Sequence, residues 1–201
     1  SRQVRAQATV GGNIANGSPI GDLAPALIAL EASIDLESPG GNRTIALESF
    51  FIDYGKQDIS SDEIVAGVSI PLKRHTHFHC WKISKRFDQD ISAVCGAFGF
   101  SIENDTITSA RIAFGGMAAT PCRARLCEQA LVGQPVHDAL LTSAAEALAR
   151  DFDPISDMRA SASYRRLTAR GLLERCLRRL NGQPLPQLFP TAQALQAVAH
   201  E

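Results

Sequence analysis

Four sets of residues in this 201-residue chain could bind a ligand or react. The first is the run TVGGNIANGSPIGD at residues 9–22. Its glycines let a backbone come close to a phosphate or a flat ring, and the N–H groups this exposes can donate to oxygen. Thr9, Val10, Gly11, Gly12 and Asn13 form its head, Asn16 and Ser18 add short polar side chains, and Asp22 can accept from a ribose hydroxyl. The same pattern also serves as a purely structural turn ahead of a helix. It matches neither the P-loop nor the GxGxxG dinucleotide fingerprint.

The second set is the charged run from Lys82 through Lys85-Arg86-Phe87-Asp88-Gln89-Asp90, which can tune a nearby ligand or simply face water. The third is His75-x-His77-x-His79, which an extended backbone would place on one side of a strand. Imidazoles so spaced can ligate zinc or nickel, but no neighbouring carboxylate orients them, and a polar hairpin edge is the expected reading. The fourth set is five cysteines, at 80, 95, 122, 127 and 176. They contain no CxxC pair, which argues against a zinc ribbon or a thioredoxin-type site. Cys122 and Cys127 have the gap that opens a plant-type iron–sulfur run, but no cysteine follows at the next required position. Reduced thiols in a cytoplasmic protein are the expectation.

Composition narrows the classes further. Lys plus Arg number 20 against 21 Asp plus Glu, a net charge of −1, which disfavours a protein built to hold nucleic acid or an anionic membrane. No apolar run approaches the roughly 18 residues that span a bilayer. Residues 1–5 carry charge but no apolar signal-peptide core follows. The chain does not start with Met, and the expectation is that it begins mid-protein.

The elements that must position these groups change character near Pro71. Before it, turns are expected at Gly11-Gly12-Asn13 and Gly17-Ser18-Pro19. A helix N-capped by Asp22 follows, with Leu23, Leu27 and Leu30 as its stripe, then strands around Ile34–Leu36, 43–47 and 64–70. After Pro71, strands are predicted over 78–84, 92–103 and 106–114, the last two joined by an Asn104-Asp105 hairpin turn. Helices are predicted over 123–132, 136–150 and 161–180. The last would turn Tyr164, Leu167, Leu172, Cys176 and Leu180 inward and show a basic face of Arg165, Arg166, Arg170, Arg175, Arg178 and Arg179. Asp157 to Ser161 ahead of it supplies caps and an Arg–Asp pair. Strands followed by helices indicate an α+β fold, a three-stranded antiparallel sheet packed with three helices. Residues 183–201 read as a peripheral tail.

TVGGNIANGSPIGDLAPAL resembles the second flavin-binding segment of the FAD domain in bacterial xanthine dehydrogenase small subunits. The resemblance continues through WKISKRFDQDISAV (81–94), ARIAFGGMAATPCRA (110–124) and PISDMRASASYR (154–165). It implies that residues 1–71 are the second, incomplete lobe of a two-lobed FAD-binding domain and that 78–182 form the C-terminal domain of the flavin subunit. It also implies FAD contacts at Thr9 to Asn13 (pyrophosphate or ribityl chain), Asp22 (hydroxyls), Val65 (packing on the ring) and Lys82 (pyrimidine edge). The charged loop 85–90 would lie beside the flavin, and no metal would sit at the histidines. Iron–sulfur clusters and a first flavin segment are implied upstream of Ser1, and the molybdenum cofactor in a partner large subunit. In that scheme electrons from purine oxidation pass through FAD to NAD. Flavin subunits of carbon monoxide and aldehyde dehydrogenases are the related alternative, and a non-catalytic assembly fragment is another.

Overall fold

In the computed structural model, residues 2–72, 75–86, 89–137 and 139–185 are described. Most of the expected tail (186–201) and Phe87 and Asp88 of the charged loop lie outside them. The first half is assembled from short pieces. These are α1 (Arg2–Gln7), α2 (Val10–Ala15), α3 (Leu23–Ala29), β1 (Ser33–Ser38), β2 (Gly41–Ala46), α4 (Leu47–Phe50), β3 (Phe51–Asp53), β4 (Lys56–Gln57) and β5 (Ile64–Ser69). β1 is the centre of an antiparallel sheet ordered β2-β1-β5, and Ile34 and Leu36 point from it into the core.

The second half is β6 (His77–Ser84), β7 (Ser92–Glu103), β8 (Thr106–Gly115), β9 (Cys122–Arg123), α5 (Arg125–Leu131), α6 (Leu140–Asp151) and α7 (Ala162–Leu180). The strands form a meander, β6-β7-β8-β9, so a two-residue fourth strand joins the expected three. Asn104 and Asp105 make the β7–β8 turn with φ of 49° and 58°, the left-handed pair that a tight hairpin needs. Among the described residues no helix is long and apolar enough to cross a membrane.

β7 is covered on both faces, which explains its unbroken apolar run. Val94, Phe98 and Phe100 join Phe114 in one cluster with Leu148, Leu172, Leu173 and Cys176 of the helices. Ala97 and Ala113 belong instead to a second cluster with Leu27 and Ile28 of α3. Gly96 makes the helix side possible, because a Cβ there would stand 2.8 Å from the Phe114 ring and 3.2 Å from Leu172. The two halves are also joined by an ionic seam. Glu48 of α4 meets Arg111, Arg123 and Arg125, while Arg123 also pairs with Glu128, whose Oε1 accepts from the Ile112 N–H at 2.7 Å.

Several expectations are corrected. Gly11-Gly12-Asn13 is not a turn but the body of α2, because the Thr9 hydroxyl caps it by accepting from the Gly12 N–H. That cap, typically worth about 1 kcal/mol, offsets part of the roughly 0.5–1 kcal/mol that each of the two helical glycines costs. Asp22 precedes α3 but makes no side-chain cap; its carboxylate is engaged elsewhere. On α7, Tyr164 and Leu167 face outward at 47% and 69% exposure, and the buried stripe runs through Arg165, Ala169, Leu172, Leu173, Cys176 and Leu177. Arg165 therefore leaves the basic face. It lies under the sheet end, donating to the carbonyls of Ala93 and Gly116 and pairing with Asp157 at 2.8 Å. Asp157 also accepts from the N–H groups of Arg159 and Ala160, and Ser161 caps α7 through the Tyr164 N–H.

Candidate functional site

A cleft of about 1390 Å³ opens where the head of the first half meets the outer strand of the second. One wall is α1 and α2 with the turn beyond, contributing Val4, Arg5, Thr9, Val10, Asn13, Gly21 and Asp22. The other is β6 from Cys80 to Ser84 together with Lys85, Arg86, Gln89, Asp90 and Ile91. Register alternation explains which side chains of β6 reach it. Phe78 packs into the cluster of the first half and Trp81 and Ile83 into that of the second, so Cys80 and Lys82 share the Phe78 face.

Asp22 ties the walls together. Its Oδ2 accepts from Lys82 Nζ at 2.6 Å and its Oδ1 from the buried Ser92 hydroxyl. Lys82 donates a second bond to the Asp90 carbonyl at 2.5 Å, which fixes the end of the charged loop. Within that loop the Arg86 N–H donates to the Asp90 carboxylate, and this bond above all holds the Asp90 carboxyl below its usual range. Lys85 reaches the Met158 carbonyl at 2.8 Å, linking the loop to the segment before α7. Cations Arg5, Lys82, Lys85 and Arg86 face acids Asp22 and Asp90, so the lining favours an anion.

Asn13 is the unfinished part. Its Oδ1 is buried and has no hydrogen-bond partner among the described residues. Such an orphan costs about 1–3 kcal/mol unless a ligand or water completes it. At the head of α2, the Val10 and Gly11 N–H groups are those that no preceding helical turn can satisfy.

Of the residues expected to bind, Thr9, Val10, Asn13, Asp22 and Lys82 line this one cleft. Gly11, Gly12 and Val65 do not. Val65 stands behind α2, its Cγ1 3.8 Å from where a Cβ on Gly11 would be, and Gly12 leaves room for the Thr9 hydroxyl, 2.8 Å from a Cβ there. Ser92 and Cys80 were missed. Ser92 is one more polar residue at a strand start, with nothing local to show that it meets a carboxylate 70 positions away. The histidines diverge. His75 bonds the Ala29 carbonyl through Nε2, His77 meets the Thr76 hydroxyl, and His79 stacks on Trp81 at 5.2 Å. Burial, with Arg179 nearby, lowers the His79 pKa. Arg175 covers the same Trp81 ring at 5.5 Å, another member of the expected basic face that is engaged.

Residues 1–73 match the family described as the FAD binding domain in molybdopterin dehydrogenase, and residues 79–180 match the CO dehydrogenase flavoprotein C-terminal domain. The chain belongs to the FAD-binding family of the molybdopterin dehydrogenases. The putative xanthine dehydrogenase FAD-binding subunit of Escherichia coli (strain K12) is 32% identical over 165 residues, covering 81% of this chain and 56% of that protein. The glyceraldehyde dehydrogenase medium chain of Sulfolobus acidocaldarius is 30% identical over 164 residues, covering 82% of this chain and 58% of that protein. The chain thus spans a little over half the length of these relatives. Among solved structures, the reconstituted CO dehydrogenase from Oligotropha carboxidovorans superposes with a TM-score of 0.84 at 26% identity, covering 92% of this chain and 64% of that one. The carbon monoxide dehydrogenase from Hydrogenophaga pseudoflava gives a TM-score of 0.82 at 29% identity, covering 87% and 61%.

The cleft fits the cofactor in this family's description. Its volume suits a large ligand, its lining is cationic for a pyrophosphate, and the orphaned Asn13 Oδ1 is an acceptor for a hydroxyl or ring N–H.

Proposed function

We propose that this chain is the FAD-holding, electron-transfer part of a xanthine dehydrogenase, working beside a large subunit that carries the molybdenum cofactor. Iron–sulfur clusters would lie between the two centres, the electrons would come from purine oxidation, NAD would be the acceptor, and the setting would be cytoplasmic purine catabolism. When bound, FAD supplies a redox centre that can accept electrons singly and release them as a pair. The chain's own residues bind and orient. The Val10 N–H, on the cleft lining, would donate to the pyrophosphate or ribityl oxygens, and Asn13 Oδ1 would accept from the ligand, while Gly11 lets α2 pack close to Val65. Thr9 and Gly12 hold α2 in shape, and Val65 supports it from behind rather than meeting the ring. Asp22 holds Lys82, and Lys82 keeps a positive charge at the pyrimidine edge, where it stabilises added negative charge.

The observation carrying this reading is the Asp22–Lys82–Asp90 bridge across a cleft whose lining includes an unpaired buried acceptor. In the complete enzyme, Lys82→Ala should lower the flavin potential by tens of millivolts, where about 30 mV corresponds to 1.4 kcal/mol for a two-electron couple. NAD-dependent turnover should fall more than turnover with artificial dyes that take electrons before FAD. Equal losses with both acceptors, or an unchanged potential, would contradict the role given to Lys82.

A carbon monoxide or aldehyde dehydrogenase flavin part is favoured by two observations: the CO dehydrogenase superpositions and the likeness to the glyceraldehyde dehydrogenase medium chain. Reduction of the complete enzyme by xanthine but not by CO or glyceraldehyde would support the purine reading; the reverse would support this one.

A further inference from the structure

Cys80 and Cys95 sit on adjacent antiparallel strands, β6 and β7, where Cys80 pairs with Ala97 and Lys82 with Cys95. They are therefore diagonal neighbours on one face of the sheet, and their sulfurs are 3.9 Å apart. Their surroundings differ. Cys80 is exposed and lines the cleft, whereas Cys95 is 1% exposed beneath it. The Cys95 Sγ also lies 3.9 Å from the Asp22 carbonyl, so its one proton has two acceptors in reach. Cys122, Cys127 and Cys176 have no such sulfur neighbour among the described residues, and Cys127 and Cys176 are buried.

We propose that Cys80 and Cys95 form a reversible redox pair, in which Cys80 is the attacking sulfur and Cys95 the resolving one, with a hydroperoxide as oxidant. Its basis is the two sulfurs themselves and does not require the flavin reading. In the first step the Cys80 thiolate attacks the O–O bond of hydrogen peroxide: an S–O bond forms, the O–O bond breaks, and hydroxide leaves. In the second, the Cys95 sulfur displaces the oxygen of that sulfenic acid: an S–S bond forms, the S–O bond breaks, and water leaves carrying the Cys95 proton. The two sulfurs together lose two electrons to the peroxide oxygens, and an added dithiol reverses the change by exchange.

The electrostatics agree with this division. The hydrogen-bonding contact with Cys95 lowers the Cys80 thiol below its usual value, while Cys95 is raised by the same contact and by burial. Burial above all, with the Asp151 carboxylate nearby, pushes Cys122 up to about 11, and burial raises Cys127 and Cys176 further. A thiolate attacks a peroxide far faster than a thiol does, so Cys80 is the sulfur that should respond first. Cys95 follows by giving up its proton to the departing oxygen as it attacks. Closing the gap from 3.9 Å to the roughly 2.05 Å of a disulfide needs rotation of the side chains and, because the two cysteines are diagonal rather than directly paired, a shift of the outer strand β6 against β7.

The test is peptide mapping of the purified full chain, reduced, freed of reductant and then treated with hydrogen peroxide. The expected product is one cross-linked peptide pair joining Cys80 to Cys95, lighter by two hydrogens and restored by dithiothreitol. Loss of the Cys80 thiol should run at least about tenfold faster than loss of the Cys122 thiol, the ratio following thiolate fraction and access. Cys95→Ala should leave Cys80 as a sulfenic acid that dimedone traps. Cys80→Ser, at an exposed position, should abolish the cross-link and leave Cys95 a thiol, so the proposal stays testable if the buried variant does not fold. Both residues remaining thiols, or Cys80 passing straight to sulfinic acid with Cys95 present, would overturn it.

Discussion

The two halves of this molecule each supply one wall of the cleft, and they are built on opposite plans. The second half has a 12-residue strand, a 10-residue strand and a 19-residue helix around a cluster that its own side chains close. The first half has helices of 4 to 7 residues, and its cluster is completed by Ala97 and Ala113, which belong to the other half's sheet. The lesson is one of dependence: the wall carrying Thr9, Asn13 and Asp22 takes its shape from what it leans on.

The largest expected effect is on the self-contained half. Phe114 is fully buried, with edge-on contacts to Phe98 and Phe152 at 5.5 and 5.6 Å. Phe114→Ala should cost about 3–5 kcal/mol in denaturant unfolding, the usual range for emptying an aromatic site. A loss below about 1 kcal/mol would mean that this cluster is not the main core.

A smaller and more selective effect is expected at the seam. Glu48→Gln removes the carboxylate charge that Arg111, Arg123 and Arg125 share. It should destabilise by about 1–2 kcal/mol, since the half-buried Arg111 and Arg123 lose part of their compensation while the exposed Arg125 loses little. Hydrogen exchange should then quicken in β1 and β5 while β7 keeps its protection. Uniform quickening would show that the halves unfold together and that the contrast drawn between them is wrong.

The contrast also explains what could be read from the sequence. Length and periodicity gave away the second half: 92–103 is β7 to the residue, and Asn104-Asp105 forms the expected turn. The first half resisted because α4, β3 and β4 are only 4, 3 and 2 residues long, too short to show a period. Two glycines in the first turn of α2 argue locally for a turn, and only the Thr9 cap and the contact with Val65 reverse that. The site was legible by residue type but not by partner. Asp22 and Lys82 were both picked out, yet nothing in a sequence says that they bond each other across 60 positions. Arg165 shows the converse, an arginine among five others on one helix that proves to be buried at 2% exposure.

The smallest expected effect is a pH dependence confined to the first half. Arg43 on β2 binds both Asp58 and Glu63, and its hydrogen bonds lower the Glu63 carboxyl from 4.5 to about 2. A carboxyl depressed in the folded state adds stability that is fully present above its unfolded value and is lost as pH falls through the folded one. The window is therefore about 4.5 down to about 2. Unfolding curves of wild type and Glu63→Gln should differ at pH 6 and converge toward pH 2; a gap that persists at the acid end would assign the effect to packing instead.

The central claim, that FAD occupies the cleft between α2 and β6, is met most directly by footprinting Cys80, the exposed thiol on its lining. With binding followed in parallel by flavin fluorescence, the rate of Cys80 alkylation by N-ethylmaleimide is measured with and without saturating FAD, using Cys122 as internal reference. FAD in this cleft should slow Cys80 by about tenfold or more, as expected when a bound ligand buries most of its surface against the lining, and leave Cys122 unchanged. Flavin that binds while Cys80 reacts at its original rate would place the cofactor elsewhere and contradict the assignment.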